Sequence, residues 1–341
     1  MKILIVKLSA LGDVLRTTSL LAPLRRKYPR AELWWVTAPA AAPLLKGNPA
    51  IKKVLAPAKP EALGSLAGGF DLVLSLEEGP VAEYAAAACR GRLIGVYPEG
   101  GGYRYTPSSA LYYGMSLLNR DVDGSLTTAN RLKAANRLTY AGLWLKILGL
   151  KAPAGRRGAA PSLFLSGRDR AAARKFFRRL GPGAPIGLNP GAGARWPAKQ
   201  LSVERAAALA ARLARLGRPV LLFGGPDEAE RNREIVLRAG AGVWDAGCRH
   251  PLRSFAGFVD KCAVVVTTDS LALHLANALD RAAVVLVGPT SPSELDVYGK
   301  GRILHPKGGC SCFYKSRCSR EISCLDGIGL DRISASVKKW I

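Results

Sequence analysis

Long apolar runs are missing from this 341-residue chain. A membrane span needs about 18 uninterrupted apolar residues, and stretches such as Ala282 to Val287 fall far short, so the chain is not expected to cross a bilayer. Acidic residues are scarce: 25 Asp plus Glu stand against 50 Lys plus Arg, leaving a formal charge of +25. Cysteine is sparse as well. Seven is too few for a disulfide scaffold, and the odd count points to a reducing compartment, with the cytoplasm as the expected location. A Walker A sequence, a complete GxGxxG fingerprint and a recognisable base-reading module are also absent. What is present is a globular composition, 48% apolar and 22% charged, which excludes a mostly disordered basic tail. The opening Met1 to Leu8 is interrupted by Lys7, with Asp13 close behind and no small-residue cleavage site, and it reads as a buried first strand rather than a signal peptide.

The positive charge is clustered. Residues 1–60 hold eleven Lys or Arg against Asp13 and Glu32, and residues 156–179 hold eight against Asp169 alone. Such clusters meet phosphate on nucleic acid, on anionic lipid or on a small ligand, although 32 of the 50 cations are Arg, a bias that a GC-rich genome also produces.

Short apolar runs alternate with amphipathic stretches. Ile3–Val6, Leu33–Val36, Val54–Leu55, Leu72–Leu76 and Leu93–Val96 read as strands, and a helical pattern through Leu15, Leu20, Leu21 and Leu24 closes at Tyr28-Pro29. This is a βαβ series, hence a parallel sheet covered by helices. From Gly100 to about Thr128 the rhythm breaks, and a functional loop or lid is expected there. Residues 151–161, rich in Pro, Gly and Ala, read as a linker, after which the alternation restarts at Ile186, Val220, Val264 and Val284. Two α/β lobes are therefore expected, over 1–155 and 156–325, with ligands in a cleft at the carboxyl ends of their strands. A final amphipathic helix lies within 326–341.

Four constellations fall at those strand ends. Ser9-Ala-Leu-Gly12-Asp13 is either an ordinary helix start or a turn that presents a carboxylate as a general base. Asn189-Pro-Gly191-Ala-Gly193-Ala-Arg195-Trp-Pro-Ala-Lys199 combines glycines that let backbone approach a diphosphate with cations to neutralise it. Gly224-Gly-Pro-Asp227-Glu228 places acids where they either open a helix or accept hydrogen bonds from ribose hydroxyls. In Thr268-Asp269-Ser270 through His274, Asp269 or Ser270 caps a helix, or Ser270 and His274 share the face of a phosphate cradle.

In order and at matching strand ends, these motifs resemble glycosyltransferase family 9, the ADP-heptose:lipopolysaccharide heptosyltransferases, over nearly the whole chain. The resemblance implies an α/β GT-B fold of two Rossmann-like lobes whose parallel sheets face a cleft. It further implies inverting, metal-independent transfer of heptose from an ADP-sugar to the lipopolysaccharide inner core, with no cofactor. Asp13 matches the family's general base. By the same resemblance Gly191, Gly193, Arg195, Lys199, Asp269 and Ser270 would hold the diphosphate, Asp227 or Glu228 the ribose, and His274 would lie beside the phosphates. Leu271 stands where family members usually carry Gly after the Asp-Ser pair, and Ala194 where some carry Lys. In proteins of this fold the last helix commonly returns to the first lobe.

An anionic, lipid-linked acceptor at the cytoplasmic face of the inner membrane fits the charge, with Arg25, Arg26, Lys27 and Arg30 as a basic face and Arg16, Tyr103, Arg104 and Tyr105 on the acceptor side, where Tyr112 and Tyr113 also fall. Cys310, Cys312, Cys318 and Cys324 concentrate four thiols in fifteen residues, as a structural metal site, reduced loop thiols or disulfides; no catalytic metal is expected. Three alternatives stand beside this transferase: a nucleotide-sugar transferase of the same fold with another donor or acceptor, a GT-B-like nucleotide-sugar epimerase, and a basic nucleic-acid-binding protein. The glycines at strand ends favour a nucleotide sugar over nucleic acid.

Overall fold

The structure is a computed structural model that describes residues 1–155, 157–193, 196–310, 313, 315, 317–318 and 320–341. The chain divides into two compact units, Met1–Phe164 and Leu165–Ile341.

The first unit is built on a six-stranded sheet. Its strands are β1 (Lys2–Val6), β2 (Glu32–Val36), β3 (Lys53–Leu55), β4 (Phe70–Ser75), β5 (Cys89–Glu99) and β6 (Gly102–Tyr105), in the order β3-β2-β1-β4-β5-β6. The first five are parallel. Helices cover both faces, which is why β1 is apolar without alternation: Ile3 and Ile5 join a core with Leu21, Leu24, Trp35 and Trp144, whereas Leu4 and Val6 join Val73, Val81 and Ala85 on the other face. Each such side chain contributes roughly 1.5–3 kcal/mol by leaving water.

The helix expected through Leu24 is interrupted. It forms Leu11–Thr17, a 3₁₀ turn Thr18–Leu20, then Leu21–Lys27. The Thr17 and Thr18 hydroxyls donate back to the carbonyls of Asp13 (2.7 Å) and Leu15 (2.6 Å), a bond that competes with regular helix and bends it. The stretch expected as a long loop from Gly100 is also more ordered. Gly100 and Gly101 take φ of 58° and 75°, so the chain reverses there and β6 pairs antiparallel with β5. Helices Ala110–Tyr113 and Thr127–Ala135 follow, and helix Tyr140–Leu148 ends on left-handed Gly149.

The boundary between units falls nearer residue 164 than 155 because the intervening chain is tied to the first unit. The Ser162 N–H donates to Thr18 Oγ1 (2.9 Å), Asn48 donates to Ser162 Oγ (3.2 Å), and Leu163 is buried.

The second unit repeats the plan with β7 (Ile186–Asn189), β8 (Val220–Leu222), β9 (Val243–Asp245), β10 (Val264–Thr268), β11 (Ala282–Leu286) and β12 (Gly301–Leu304), ordered β12-β11-β10-β7-β8-β9, all parallel. The final helix, Leu330–Val337, supplies Ile333 and Val337 to this unit's core beside Leu209, Leu213 and Leu304. The Arg205 guanidinium fixes the approach by donating to the Ile328 carbonyl (2.6 Å), and Arg212 donates to Ser334 Oγ (3.1 Å).

Candidate functional site

In each unit the strand order reverses beside the first strand, at β1/β4 and at β7/β10. The loops leaving two such strands run in opposite directions and open a crevice at their carboxyl ends. Both crevices carry the residues singled out from the sequence.

In the first unit Asp13 lies in the first turn of helix Leu11–Thr17, where the helix dipole favours a carboxylate. Its Oδ1 is 3.0 Å from Arg16 Nε, with 36% of the Asp13 side chain exposed and 17% of Arg16. Arg16 also donates to the Tyr112 hydroxyl (3.3 Å) and stacks 4.1 Å above the Tyr140 ring. Burial pushes the Tyr140 phenol up to about 12, so it stays a neutral partner of Thr17 Oγ1 at 2.7 Å. The Arg16 guanidinium thus holds the Asp13 carboxylate in place beside it.

Glu77, just past β4, was not singled out in the sequence. Its Oε2 accepts the N–H groups of Leu8 (2.9 Å) and Ser9 (3.0 Å) and pairs with the Lys7 ammonium (3.1 Å). One carboxylate thus fixes the turn that leads into Asp13.

Of the residues placed on the acceptor side, Arg16 adjoins Asp13, while Tyr103, Arg104 and Tyr105 lie in β6. Tyr103 donates to Glu83 (3.2 Å), Arg104 pairs with Glu99 (3.4 Å), and Tyr105 donates to Asn119 (3.2 Å) while stacking on Tyr113. Tyr113 is buried in the core rather than offered to a ligand.

In the second unit Asn189 bridges the switch point, donating to the Gly191 carbonyl (2.8 Å) and to Ser270 Oγ (3.2 Å). Thr268 Oγ1 donates to the same carbonyl (3.0 Å). Ser270 caps helix Leu271–Ala278 by accepting the Ala272 N–H, which leaves other N–H groups of the first turn for an anion. Lys199 Nζ pairs with Asp269 Oδ2 at 2.6 Å, and Thr290 donates to the same oxygen at 2.9 Å. His274 is buried inside that helix, one turn from Ser270.

Glu228 joins the two glycine turns. It is buried, and its carboxylate accepts the Gly225 N–H (2.7 Å) and, more distantly, the Gly193 N–H (3.4 Å). A methyl group at Gly191 would collide with that carboxylate, so a side chain there would force Glu228 off its N–H partners. Asp227, by contrast, is exposed. Arg195 and Ala194 lie outside the described residues.

Beyond Glu228 is a cavity of about 490 Å³ lined by Ala229, Arg233, Asp245, Gly247, Cys248, Arg249 and His250. No sequence motif marked it. Asp245 ends β9 and holds the following turn through the Gly247 N–H (2.8 Å), with Gly247 at φ 88°.

Near the end of the chain, Cys318 Sγ lies 3.6 Å from Cys324 Sγ. Burial, then the neighbouring Cys310 and Cys318, push the Cys324 thiol up to about 12, which keeps it protonated near neutrality. Cys312 lies outside the described residues. No group of three or more side chains suited to a metal ion occurs among the described residues, and no described helix is long and apolar enough to cross a membrane.

Comparison with known proteins agrees with this architecture. Residues 148–314 match the model of glycosyltransferase family 9 (heptosyltransferase). The chain is 29% identical to lipopolysaccharide heptosyltransferase 2 of Salmonella typhimurium over 313 residues, covering 86% of this chain and 84% of that protein. Among solved structures, a family 9 glycosyltransferase from Veillonella parvula superposes with a TM-score of 0.73 at 18% identity, covering 99% of this chain and 96% of that one. ADP-heptose lipopolysaccharide heptosyltransferase II of Escherichia coli does so with 0.69 at 24% identity, covering 99% and 98%. Over residues 148–314 the chain is similar to glycosyltransferase family 9, and its two Rossmann-like units have the fold of the GT-B glycosyltransferases.

Proposed function

We propose that the protein transfers heptose from ADP-heptose to the inner core of lipopolysaccharide, with inversion at the anomeric carbon and without a catalytic metal. The observation that carries this reading is the Asp13 carboxylate held beside Arg16 at the first unit's switch point. Asp13 takes the proton of the acceptor hydroxyl while that oxygen attacks the anomeric carbon. The bond from that carbon to the diphosphate breaks, ADP departs with the electron pair, and one displacement inverts the centre.

The donor belongs to the second unit. Gly191, Gly193, Ser270 and the first turn of helix Leu271–Ala278 receive the diphosphate, Asp227 or Glu228 the ribose, and His274 flanks the phosphates. Lys199, oriented by Asp269, and Arg195 balance the charge that grows on the leaving group, work that a divalent ion does in metal-dependent transferases. The acceptor is an anionic, lipid-linked oligosaccharide met at the cytoplasmic face of the inner membrane, with Arg16, Tyr103, Arg104 and Tyr105 on its side; nucleic acid is not a partner.

A thermal-shift panel of ADP-, UDP-, GDP- and CMP-sugars tests the donor. ADP-heptose is expected to raise Tm most. A shift with another nucleotide sugar and none with ADP-heptose would replace the donor while leaving the transferase.

A further inference from the structure

The N-terminal cations that suggested a membrane-facing surface are largely occupied within the fold. Arg25 donates to the carbonyls of Ala31 (2.7 Å) and Ala50 (2.8 Å), Arg26 to Ala152 (3.3 Å), and Lys27 to Leu148 (3.1 Å) and Gly149 (3.2 Å). In the second basic cluster Arg174 is likewise bonded, to the Gly167 carbonyl (2.8 Å), but the cluster lies on an exposed helix face. Helix Ala171–Phe177 buries Ala173 and rests Phe176 and Phe177 against Phe258, with ring centroids 5.6 and 6.0 Å apart. Its outer side carries Arg174 and Lys175, followed by Arg178, and these line a shallow groove of about 600 Å³ together with Lys261, Ala171 and Phe177. All four cations are exposed.

The nearby carboxylates are already engaged. Asp169 is held by Arg253 (3.0 and 2.7 Å), and Asp260 by Arg170 (2.6 Å) and Arg281 (3.2 Å). Among the described residues none of the four groove cations has a carboxylate partner, and Arg174 and Arg178 stand four apart, a spacing at which like charges repel along a helix. Four exposed cations without a carboxylate partner, set beside Phe177, match a phospholipid surface, whose phosphates meet the charges while the long cationic stems and Phe177 lie against the acyl boundary. We infer that this groove of the second unit docks the protein on an anionic phospholipid bilayer. The choice of bilayer over nucleic acid rests on the lipid-linked acceptor proposed above.

The test uses the full chain and vesicles of phosphatidylcholine containing about one-third phosphatidylglycerol. Wild type is expected to co-sediment with them, to release as salt rises, and to ignore pure phosphatidylcholine. The triple variant R174Q/K175Q/R178Q should bind on the order of a hundred-fold more weakly, from a contribution of about tenfold or somewhat less per cation. The control R26Q/R30Q should change binding by less than about twofold, on the same scale. Both variants should keep the wild-type Tm and full transfer to a detergent-dispersed acceptor. Undiminished vesicle binding by the triple variant, an equal loss in the control, or capture of duplex DNA through the same three residues at equal or higher affinity would overturn the inference. Vesicle binding is measured without donor or acceptor, so a failure of the donor panel and a failure of this surface are read separately.

Discussion

Lys199 and Asp269 are 70 residues apart in sequence, yet the ammonium stands 2.6 Å from the carboxylate at the second unit's switch point. Asp269 is further held by Thr290, so the pair is a fixed mount for one positive charge rather than a loose surface contact. Replacing Lys199 by Met should weaken ADP binding by about 2 kcal/mol, roughly thirtyfold, the scale of a charged hydrogen bond. Lys199→Arg should retain most of the affinity, and titration calorimetry with ADP distinguishes the two. Equal, wild-type affinity in both would remove Lys199 from the donor site.

Gly191 and Gly193 make separable predictions. A methyl group at Gly191 meets the Glu228 carboxylate, whereas the space around Gly193 is open and only its φ of 75° resists a side chain. Gly191→Ala should therefore cost about 1–3 kcal/mol of stability and displace the turn. Gly193→Asn, a residue that tolerates left-handed backbone, should cost less than about 1 kcal/mol. Denaturation midpoints and ADP affinity for the two variants check the contrast; a milder effect at Gly191 than at Gly193 would contradict it.

Glu77 is expected to matter for rate rather than for donor binding. Glu77→Gln leaves an acceptor for only part of the Leu8, Ser9 and Lys7 set and loosens the turn before Asp13. A fall in kcat of about tenfold, with ADP affinity unchanged, is the expected split, since a small misplacement of a catalytic group is costly. Steady-state kinetics beside calorimetry give both numbers. A loss of ADP affinity with kcat intact would refute it.

The Asp169–Arg253 pair predicts an acid-labile contribution to stability. The fork of Arg253, with the Ser166 hydroxyl and N–H also donating, holds the Asp169 carboxyl well below its ordinary value. A folded-state pKa below the unfolded one means stability that is full above about pH 4 and is lost as pH falls toward the folded value. Asp169→Asn should lower stability by about 1 kcal/mol near neutrality, allowing for solvent screening, and by less in acid. Urea midpoints of wild type and variant, followed downward from neutral pH, should converge. A gap that widens in acid would reverse the sign.

The fold was legible because parallel strands buried on both faces leave runs such as Ile3–Val6 and Val264–Val266, and glycine or proline punctuates their ends. Asp269 and Ser270 drew notice for the same reason, since they follow directly on the end of β10, where topology puts ligands. Glu77 was not. Its partners lie 68 to 70 residues away, and an acid after a strand carries no local signature. The cavity beside Cys248 escaped similarly, because it is assembled from a helix start and a turn that are separate in sequence. Tyr113 looked like a ligand-facing aromatic because composition does not reveal that β6 folds back on the sheet and stacks Tyr105 on it, within the core.

The central claim is that Asp13 is the base. The most direct measurement is transfer by Asp13→Asn beside its affinity for ADP-heptose. The account predicts a rate loss of about 10²–10⁴-fold in Asp13→Asn with donor affinity unchanged. Wild-type transfer by a folded Asp13→Asn protein would contradict it.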